Sequence, residues 1–257
     1  MSRPRATALR RVLRRRDAPA TSQEIVPDAG LSPADRQIVT AASPHTMTSV
    51  ERLQALIDSV RYCVRSNVPG AFAECGVWRG GSVLAMILTL QELGIEDRDI
   101  HLYDTFEGMT APTQHDVPAE GPPALETWQQ AQNRNERAWP EVFGPEAFDE
   151  GAVRTLLTST GYPRERLHLI RGPVEQTIPA HAPEALALLR LDTDWYESTH
   201  HELEHLYPRL AKRGVLIIDD YGHWEGARRA VDEYFESSPA APLLHRIDYT
   251  GRIAVKA

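Results

Sequence analysis

Four aspartates follow two apolar runs of the sequence. The segment Asp192-Thr193-Asp194 follows the run 185–191, and the pair Asp219-Asp220 follows the run 214–218. Each run is typical of a buried strand, and in an open α/β sheet ligands bind beyond the carboxyl ends of the strands. Carboxylates gathered there repel one another unless a cation lies between them, and Mg²⁺ or Ca²⁺ prefers such oxygen ligands. The two clusters therefore predict a divalent-cation site at the edge of a sheet.

These carboxylates can have different tasks. Asp192, Asp219 and Asp220 can supply oxygens to one ion, which would orient a bound alcohol and lower its pKa. Asp194 is a candidate to accept the proton of that alcohol, and Asp192 is the alternative base. Helix capping is the competing interpretation of Asp194 and Asp220, because each precedes a predicted helix.

A glycine-bearing turn follows an earlier predicted strand at 70–77. Gly76, Gly80 and Gly81 lead there into a helix predicted over 82–93. Glycine lets a ligand approach the backbone, and a helix N-terminus attracts phosphate or carboxylate groups. The G-x-x-x-G-G spacing differs from the G-x-G-x-x-G of dehydrogenases. Glycine turns after strands are common, so this turn alone is a weak indication of nucleotide binding.

Asp104 ends the second predicted strand, at 100–104, and Thr105 follows it. An acidic residue at this place typically accepts hydrogen bonds from the ribose hydroxyls of an adenosine ligand. A helix N-cap explains Asp104 equally well when it is considered by itself. The glycine turn and Asp104 together favour an adenosine-containing ligand.

Alternating strands and helices position these residues. Beyond those named, strands are predicted at 166–170, 185–191 and 214–218, and helices at 152–160, 198–210 and 227–235. This alternation predicts a parallel sheet with right-handed crossovers. The tail predicts an antiparallel hairpin around Thr250-Gly251, which is the usual ending of a class I methyltransferase sheet. We therefore predict an α/β, Rossmann-like class I methyltransferase fold, with a mostly parallel seven-stranded sheet and an antiparallel C-terminal hairpin.

Two segments interrupt the alternation. Residues 107–150 are rich in proline and carry several aromatic side chains, and a connection of this length is usually functional, such as a lid or substrate loop. Residues 17–47 are predicted to be irregular because prolines punctuate them. The first helix of the main domain is predicted to begin at Thr48, which can form a capping box with Glu51.

Composition excludes several classes of protein. The chain has 257 residues, of which 42% are hydrophobic and 25% charged, as expected of a soluble globular domain, and it has no apolar stretch long enough to span a membrane. Two cysteines without a CxxC pair favour a reducing, cytoplasmic location. The net charge of −8 conceals seven arginines within residues 1–16. Because the rest of the chain is strongly acidic, we expect neither a nucleic-acid nor a membrane partner, and the basic arm hints at a homo-oligomer.

Several histidines are also candidates. His201 and His205 are spaced i, i+4, which can bind zinc. Because Glu202 and Glu204 lie beside them, a solvated helix face is the simpler interpretation. His223 follows the second acidic cluster closely and is a candidate contact to the substrate.

Taken together, the motifs resemble the macrocin O-methyltransferase family, the sugar O-methyltransferases of antibiotic pathways. The matching segments are His45-Thr46-Met47, Glu74-Cys75-Gly76-Val77-Trp78-Arg79-Gly80-Gly81, Asp104-Thr105-Phe106-Glu107-Gly108, Leu189-Arg190-Leu191-Asp192-Thr193-Asp194-Trp195-Tyr196-Glu197-Ser198-Thr199, Leu206-Tyr207-Pro208-Arg209-Leu210 and Ile217-Ile218-Asp219-Asp220-Tyr221. They occur in the family's order from about residue 45 to 235.

The resemblance implies S-adenosylmethionine as cofactor, Mg²⁺ with Ca²⁺ or Mn²⁺ as alternatives, and a deoxysugar hydroxyl of a small glycosylated natural product as methyl acceptor. It implies Asp192, Asp219 and Asp220 as metal ligands and Asp194 or Asp192 as general base. The expected cofactor contacts are Thr46, Met47, Glu74, Gly76, Gly80, Gly81, Ser82, Asp104, Thr105, Gly172, Glu175 and Asp192.

The composition and the motifs together give the expected domain organisation, and two alternative functions stay open. We expect a basic arm and irregular cap over 1–47, and an S-adenosylmethionine-dependent methyltransferase domain over 48–257 with an insertion at 107–150. A catechol-type small-molecule O-methyltransferase and a non-catalytic S-adenosylmethionine-binding protein are the alternatives. An NAD-dependent oxidoreductase is disfavoured by the glycine spacing and the terminal hairpin.

Overall fold

The computed structural model describes residues 30–140, 142–144, 149–236, 238 and 241–257. The arginine-rich arm predicted at the N-terminus lies outside these residues. The strands are β1 (Ala71–Cys75), β2 (Ile100–Asp104), β3 (Leu167–Arg171), β4 (Leu186–Leu191), β5 (Leu210–Ile218), β6 (His245–Arg246) and β7 (Arg252–Val255). The α-helices are α1 (Pro33–Ala42), α2 (Val50–Arg65), α3 (Gly81–Glu92), α4 (Ala124–Asn133), α5 (Glu150–Thr158), α6 (Val174–Thr177), α7 (Tyr196–Leu206) and α8 (Glu225–Glu236). Short 3₁₀ turns cover Ser43–His45, Arg164–Arg166 and Tyr207–Arg209.

Within the described residues, the strands form one seven-stranded sheet in the order β3-β2-β1-β4-β5-β7-β6. Strand β1 pairs in parallel with both β2 and β4, whereas β7 pairs antiparallel with β5 and β6. The predicted class I methyltransferase fold, with its antiparallel C-terminal hairpin, is confirmed. The strand order reverses at β1 and β4, and this switch point opens a crevice beyond their carboxyl ends, where α/β sheets bind ligands.

Helices cover both faces of the sheet. Apolar side chains of α1, α2 and α3 pack on one face, and those of α7 and α8 pack on the other. Strands β1 and β4 are buried along their whole length, which is why their sequences are almost continuously apolar. The exceptions are Glu74 in β1 and Arg190 in β4, which pair with each other at 1% side-chain exposure each. The sheet therefore carries a buried ion pair beneath the crevice.

The segment predicted to be irregular, 17–47, contains helix α1 in its described part. The prediction was wrong because Pro33 does not interrupt the chain there; it occupies the first turn of the helix, where proline needs no N–H partner. Ser32 caps this helix by accepting a hydrogen bond from the backbone N–H of Asp35 at 3.1 Å. Helix α1 then packs against α3, next to the glycine turn.

Helix α2 begins one residue after its true cap, which is Ser49 and not Thr48. The Ser49 hydroxyl accepts a hydrogen bond from the backbone N–H of Arg52 at 3.2 Å. The predicted capping box was wrong because the Thr48 hydroxyl accepts instead from Arg190 at 2.9 Å. The start of α2 is thereby tied to the acidic end of β4.

The insertion 107–150 contains α4 and is fixed to the body of the protein at several points. Asp116, fully buried, accepts from the backbone N–H of Tyr196 at the start of α7 at 2.8 Å. A backbone bridge joins Pro118 to Trp224 just before α8. The described part of the insertion is thus a wall built onto the carboxyl end of the sheet. No helix among the described residues has both the length and the apolar character needed to cross a membrane.

Candidate active site

A cavity lies at the switch point and brings most of the predicted site residues together. Its lining includes the following predicted residues: Thr46, Met47, Gly76, Ser82, Asp104, Thr105, Gly172, Glu175, Asp192, Asp194, Asp219, Asp220 and His223. The predicted contacts Glu74, Gly80 and Gly81 lie outside that lining, behind the cavity wall. The glycine turn and the two acidic clusters, distant in sequence, therefore border one space.

Three carboxylates form a compact cluster at one end of the cavity. One oxygen from each of Asp192, Asp219 and Asp220 lies within 4.8 Å of the others. Asp219 and Asp220 are buried, whereas the Asp192 side chain, which borders the cavity, is 28% exposed. Such an all-oxygen set fits a hard divalent cation such as Mg²⁺, Mn²⁺ or Ca²⁺ and suits zinc less well.

Two arginines that sequence reasoning missed lie against this cluster. Arg190, only 1% exposed, forms ion pairs with Glu74, with Asp219 and, at 2.9 Å, with Asp192. From α2, Arg52 pairs with Asp219. The expectation that the aspartates need a metal ion to lie together was therefore incomplete, because the protein supplies two positive charges of its own. The sequence does contain an indication of Arg190, because an arginine inside an otherwise apolar strand is buried and therefore needs acidic partners.

Glu74 belongs to this charge network and not to the cavity surface. Burial raises the pKa of Glu74 to about 8, although the Arg190 guanidinium acts in the opposite direction. Among the described residues, its Oε2 is buried without a hydrogen-bond partner. Glu74 therefore contacts Arg190 on the side away from the cavity, and Arg190 in turn binds Asp192 and Asp219.

Gly76 allows the ends of β1 and β4 to approach each other. Its φ is +85°, and a Cβ atom at this position would lie 2.0 Å from the carbonyl oxygen of Asp192. Gly81 has a packing role as well, since a Cβ there would lie 2.6 Å from the backbone of His45. The glycine turn is thus shaped by the segments packed behind it, and Gly76 fixes where Asp192 lies.

Asp104 fastens the glycine turn to the end of β2. Its carboxylate accepts hydrogen bonds from the backbone N–H groups of Val77 at 2.7 Å, Trp78 at 2.9 Å and Phe106 at 2.7 Å. The helix N-cap interpretation was wrong, because no helix follows Asp104 directly; the next helix in the described chain, α4, begins only at Ala124. Burial raises the pKa of Asp104, and the three backbone donors act against that rise.

Asp194 projects into the cavity from a left-handed backbone conformation, with φ of +68°. Its Oδ1 accepts a hydrogen bond of 2.6 Å from the indole N–H of Trp224. The capping interpretation of Asp194 was wrong, because α7 begins at Tyr196 and Asp116 accepts its first backbone N–H. Capping also does not explain Asp220, since α8 begins only at Glu225.

Tryptophans form the wall next to Asp194. The Trp195 ring lies 4.9 Å from that of Trp224, edge to face, and 5.8 Å from that of Trp139 in the insertion. The Trp195 indole donates to the Thr110 carbonyl at 3.0 Å. The acidic end of the cavity is therefore bounded by an aromatic surface that joins the insertion to the sheet.

The face of α7 predicted to be solvated is turned inward only in part, since Glu202 is buried while Glu204 is exposed. Glu202 is fully buried and accepts a hydrogen bond from the Thr193 hydroxyl at 3.0 Å, and burial raises the pKa of Glu202 well above its ordinary value. His201 contacts the Ile178 carbonyl at 2.9 Å. The solvated interpretation was wrong for Glu202 because that side chain points under the 192–194 loop.

Comparisons with known proteins show the family to which this chain belongs. Residues 7–255 match the family model of macrocin-O-methyltransferase (TylF). The chain is 32% identical to demethyldecarbamoylnovobiocin O-methyltransferase of Streptomyces niveus over 210 residues, which cover 82% of this chain and 75% of the relative. It is 34% identical over 243 residues to 8-demethyl-8-(2,3-dimethoxy-alpha-L-rhamnosyl)-tetracenomycin-C 4'-O-methyltransferase of Streptomyces olivaceus, covering 92% of this chain and 85% of the relative.

Solved structures give the same result. The structure of the O-methyltransferase NovP superposes with a TM-score of 0.70 at 30% identity, covering 83% of this chain and 82% of that one. The calicheamicin methyltransferase CalS11 superposes with a TM-score of 0.59 at 18% identity, covering 93% of this chain and 99% of that one, which is a likeness of fold. The chain belongs to the macrocin O-methyltransferase (TylF) family of S-adenosylmethionine-dependent O-methyltransferases.

Proposed function

We propose that this protein transfers a methyl group from S-adenosylmethionine to a sugar hydroxyl of a glycosylated natural product, and that a divalent cation held by Asp192, Asp219 and Asp220 assists the transfer. The observation that carries the proposal is the single cavity that joins the glycine turn to the three-carboxylate cluster. A methyl donor and an acceptor hydroxyl bound in one cavity can meet without crossing solvent.

The cofactor is proposed to lie along the glycine turn. Gly76 and Ser82 border the cavity there, and Asp104, Thr105 and Glu175 border it at the ends of β2 and β3. Asp104 already accepts three backbone N–H groups, so its first task is to hold the turn in shape. A carboxylate oxygen has more than one lone pair, so Asp104 can also accept from a ribose hydroxyl.

The cation would be held by the three aspartates, with Arg190 and Arg52 balancing part of the negative charge behind them. A bound divalent ion supplies Lewis acidity that lowers the pKa of an alcohol. The charge balance favours one divalent ion: the three aspartates outnumber the two arginines that contact them, and a net negative charge is left for the ion to neutralise.

In the reaction, the acceptor oxygen forms a bond to the methyl carbon while the sulfonium sulfur–carbon bond breaks, leaving S-adenosylhomocysteine. The hydroxyl proton passes to Asp194, which borders the cavity beside the cluster. Because the sulfonium is already a good leaving group, most of the catalysis comes from holding the two reactants in line. Asp192 is the alternative proton acceptor.

The acceptor is proposed to rest against the tryptophan wall. Trp139, Trp195 and Trp224 border the cavity on the side of the acidic cluster, together with Met109 and Phe143. Sugar rings and extended natural products stack well on such apolar, aromatic surfaces. The name of one relative, the 8-demethyl-8-(2,3-dimethoxy-alpha-L-rhamnosyl)-tetracenomycin-C 4'-O-methyltransferase, also describes an acceptor that carries a rhamnosyl group.

An acceptor screen tests this function. Methyl-labelled S-adenosylmethionine is incubated with the protein, Mg²⁺ and three sets of acceptors: deoxysugar glycosides, the same aglycones without sugar, and catechols. The proposal predicts label on a sugar oxygen of the glycosides. Label only on catechols would indicate a catechol-type enzyme. Binding of S-adenosylmethionine in calorimetry without transfer to any acceptor would indicate a protein that only binds the cofactor.

A further inference from the structure

We infer that Trp224 is a positioning residue that sets the orientation of the Asp194 carboxylate toward the acceptor. This inference rests on the proposed role of Asp194 in methyl transfer. The observation that carries it is the 2.6 Å hydrogen bond from the Trp224 indole N–H to Asp194 Oδ1. An indole N–H can only donate, so this contact holds one oxygen of the Asp194 carboxylate against the tryptophan and thereby limits the rotation of the side chain.

The backbone of Asp194 does little to fix the orientation of its carboxylate, so a contact from another residue is needed to hold it. It lies in a short connection between β4 and α7, in a left-handed conformation that a residue with a Cβ adopts at a cost of about 1 kcal/mol or more. Its side chain is attached to a loop and not to a strand. A carboxylate in this position would sample several rotamers if nothing held its outer end.

Trp224 is itself held from three sides. Its backbone N–H donates to the carbonyl of Asp220 at 3.0 Å, which connects it to the metal-ligand cluster. Its backbone pairs with Pro118 of the insertion, and its ring packs edge to face on Trp195 at 4.9 Å. The donor is therefore presented from a rigid place, as a positioning group requires.

The same connections link the insertion to the base. Trp195 donates to Thr110, and Asp116 accepts from the first backbone N–H of α7. A shift of the insertion would move Trp195 and Trp224 and would turn the Asp194 carboxylate with them. The wall that contacts the acceptor and the group that takes its proton are thus parts of one assembly.

A double-mutant cycle tests the inference. We compare kcat and KM for wild type, Trp224→Phe, Asp194→Asn and the double variant, with Mg²⁺ and a glycoside acceptor. Phenylalanine keeps an aromatic ring but removes the donor, and asparagine tolerates the left-handed backbone. We expect Trp224→Phe to lower kcat about tenfold, the effect of losing one hydrogen bond to a charged group, with KM for S-adenosylmethionine unchanged within about twofold. In the Asp194→Asn background the same exchange should cost nothing further.

The matched control is Trp128→Phe, which makes the same exchange in the aromatic cluster of the insertion. Its effect on kcat should be small and should be the same with and without Asp194→Asn. If the loss from Trp224→Phe multiplies with that from Asp194→Asn, Trp224 acts through general packing and the inference is wrong. Full kcat in Asp194→Asn would also overturn it.

A second readout does not depend on turnover. In ¹⁵N-labelled protein, the indole resonance of Trp224 is assigned by its loss in Trp224→Phe. Asp194→Gly removes the acceptor while keeping the left-handed backbone, and it should shift this resonance toward the position of a non-bonded indole. Absence of a shift contradicts the inference. Failure of wild type to methylate any acceptor would contradict the proposed function instead. The shift of the Trp224 resonance would still test whether the indole is hydrogen-bonded to Asp194.

Discussion

Replacing Arg190 by methionine should destabilise the protein far more than the loss of an ordinary ion pair. Arg190 is 1% exposed and contacts Glu74, Asp192 and Asp219, while its second amino group donates to Thr48. Methionine fills most of the volume but leaves these carboxylates buried beside one another with only Arg52 as counter-charge. Removing one partner of a buried ion pair costs about 3–5 kcal/mol.

The expected change in melting temperature follows from the size of the protein. For chains of this length, 1 kcal/mol corresponds to roughly 2–4 °C, so Arg190→Met should lower the melting temperature by about 10 °C. Thermal unfolding is followed by circular dichroism at neutral pH without added metal.

The control is Arg154→Met, which removes an ion pair with Glu150 on the surface of α5, where the two side chains are 33% and 29% exposed. Exposed pairs of this kind contribute about 0–1 kcal/mol, so the melting temperature should fall by no more than about 3 °C. If Arg190→Met and Arg154→Met melt at the same temperature, then Arg190 does not hold the carboxylate cluster together, and the charge balance derived for the site is wrong.

Two further substitutions test the parts around the cluster. Gly76→Ala would place a Cβ 2.0 Å from the carbonyl of Asp192 at a φ of +85°, so the affinity of the variant for S-adenosylmethionine, measured by calorimetry, should fall at least tenfold. The control is Gly94→Ala, where φ is +71° and a Cβ would meet nothing within 4 Å. This control should lose only about 1 kcal/mol of stability and keep the affinity of the wild type. Equal affinity in both variants would contradict this role of Gly76. Because burial raises the pKa of Glu202, the folded state keeps a proton that the unfolded state releases above about pH 4.3, so wild-type stability falls as pH rises. Glutamine does not titrate, so Glu202→Gln should not lose stability in this way, and the melting temperature of the variant minus that of wild type should increase between about pH 5 and pH 8. If this difference in melting temperature stayed constant with pH, Glu202 would be ionised in the folded state.

The sequence was sufficient to locate the strands and their acidic ends. Apolar runs at 185–191 and 214–218 are buried on both sides, and such runs predict parallel strands directly. The Asp192, Asp219 and Asp220 cluster follows from them, because carboxyl ends of parallel strands meet at one edge. These are local patterns whose consequence is fixed by the topology.

Features that depend on distant pairing were not predictable in the same way. Arg52 lies on a helix near the start of the chain, and only the folded structure brings it to Asp219. Glu202 appeared to be solvated because a charged residue beside histidines is usually exposed, yet Thr193 supplies a partner beneath the loop. Trp224 and Asp194 meet only because the connection after β5 folds over the connection after β4. Burial of charge is set by tertiary partners, and a single sequence does not state them.

The proposed metal site is tested by the metal dependence of methyl transfer. Wild-type protein is freed of metal with EDTA, and its transfer rate to a glycoside acceptor is measured as Mg²⁺ is restored, alongside Asp220→Asn. If Asp192, Asp219 and Asp220 hold the ion, wild type loses activity with EDTA and regains it with Mg²⁺, and Asp220→Asn requires at least about tenfold more Mg²⁺. Full activity of the metal-free wild type, or an unchanged Mg²⁺ requirement in Asp220→Asn, would contradict the account.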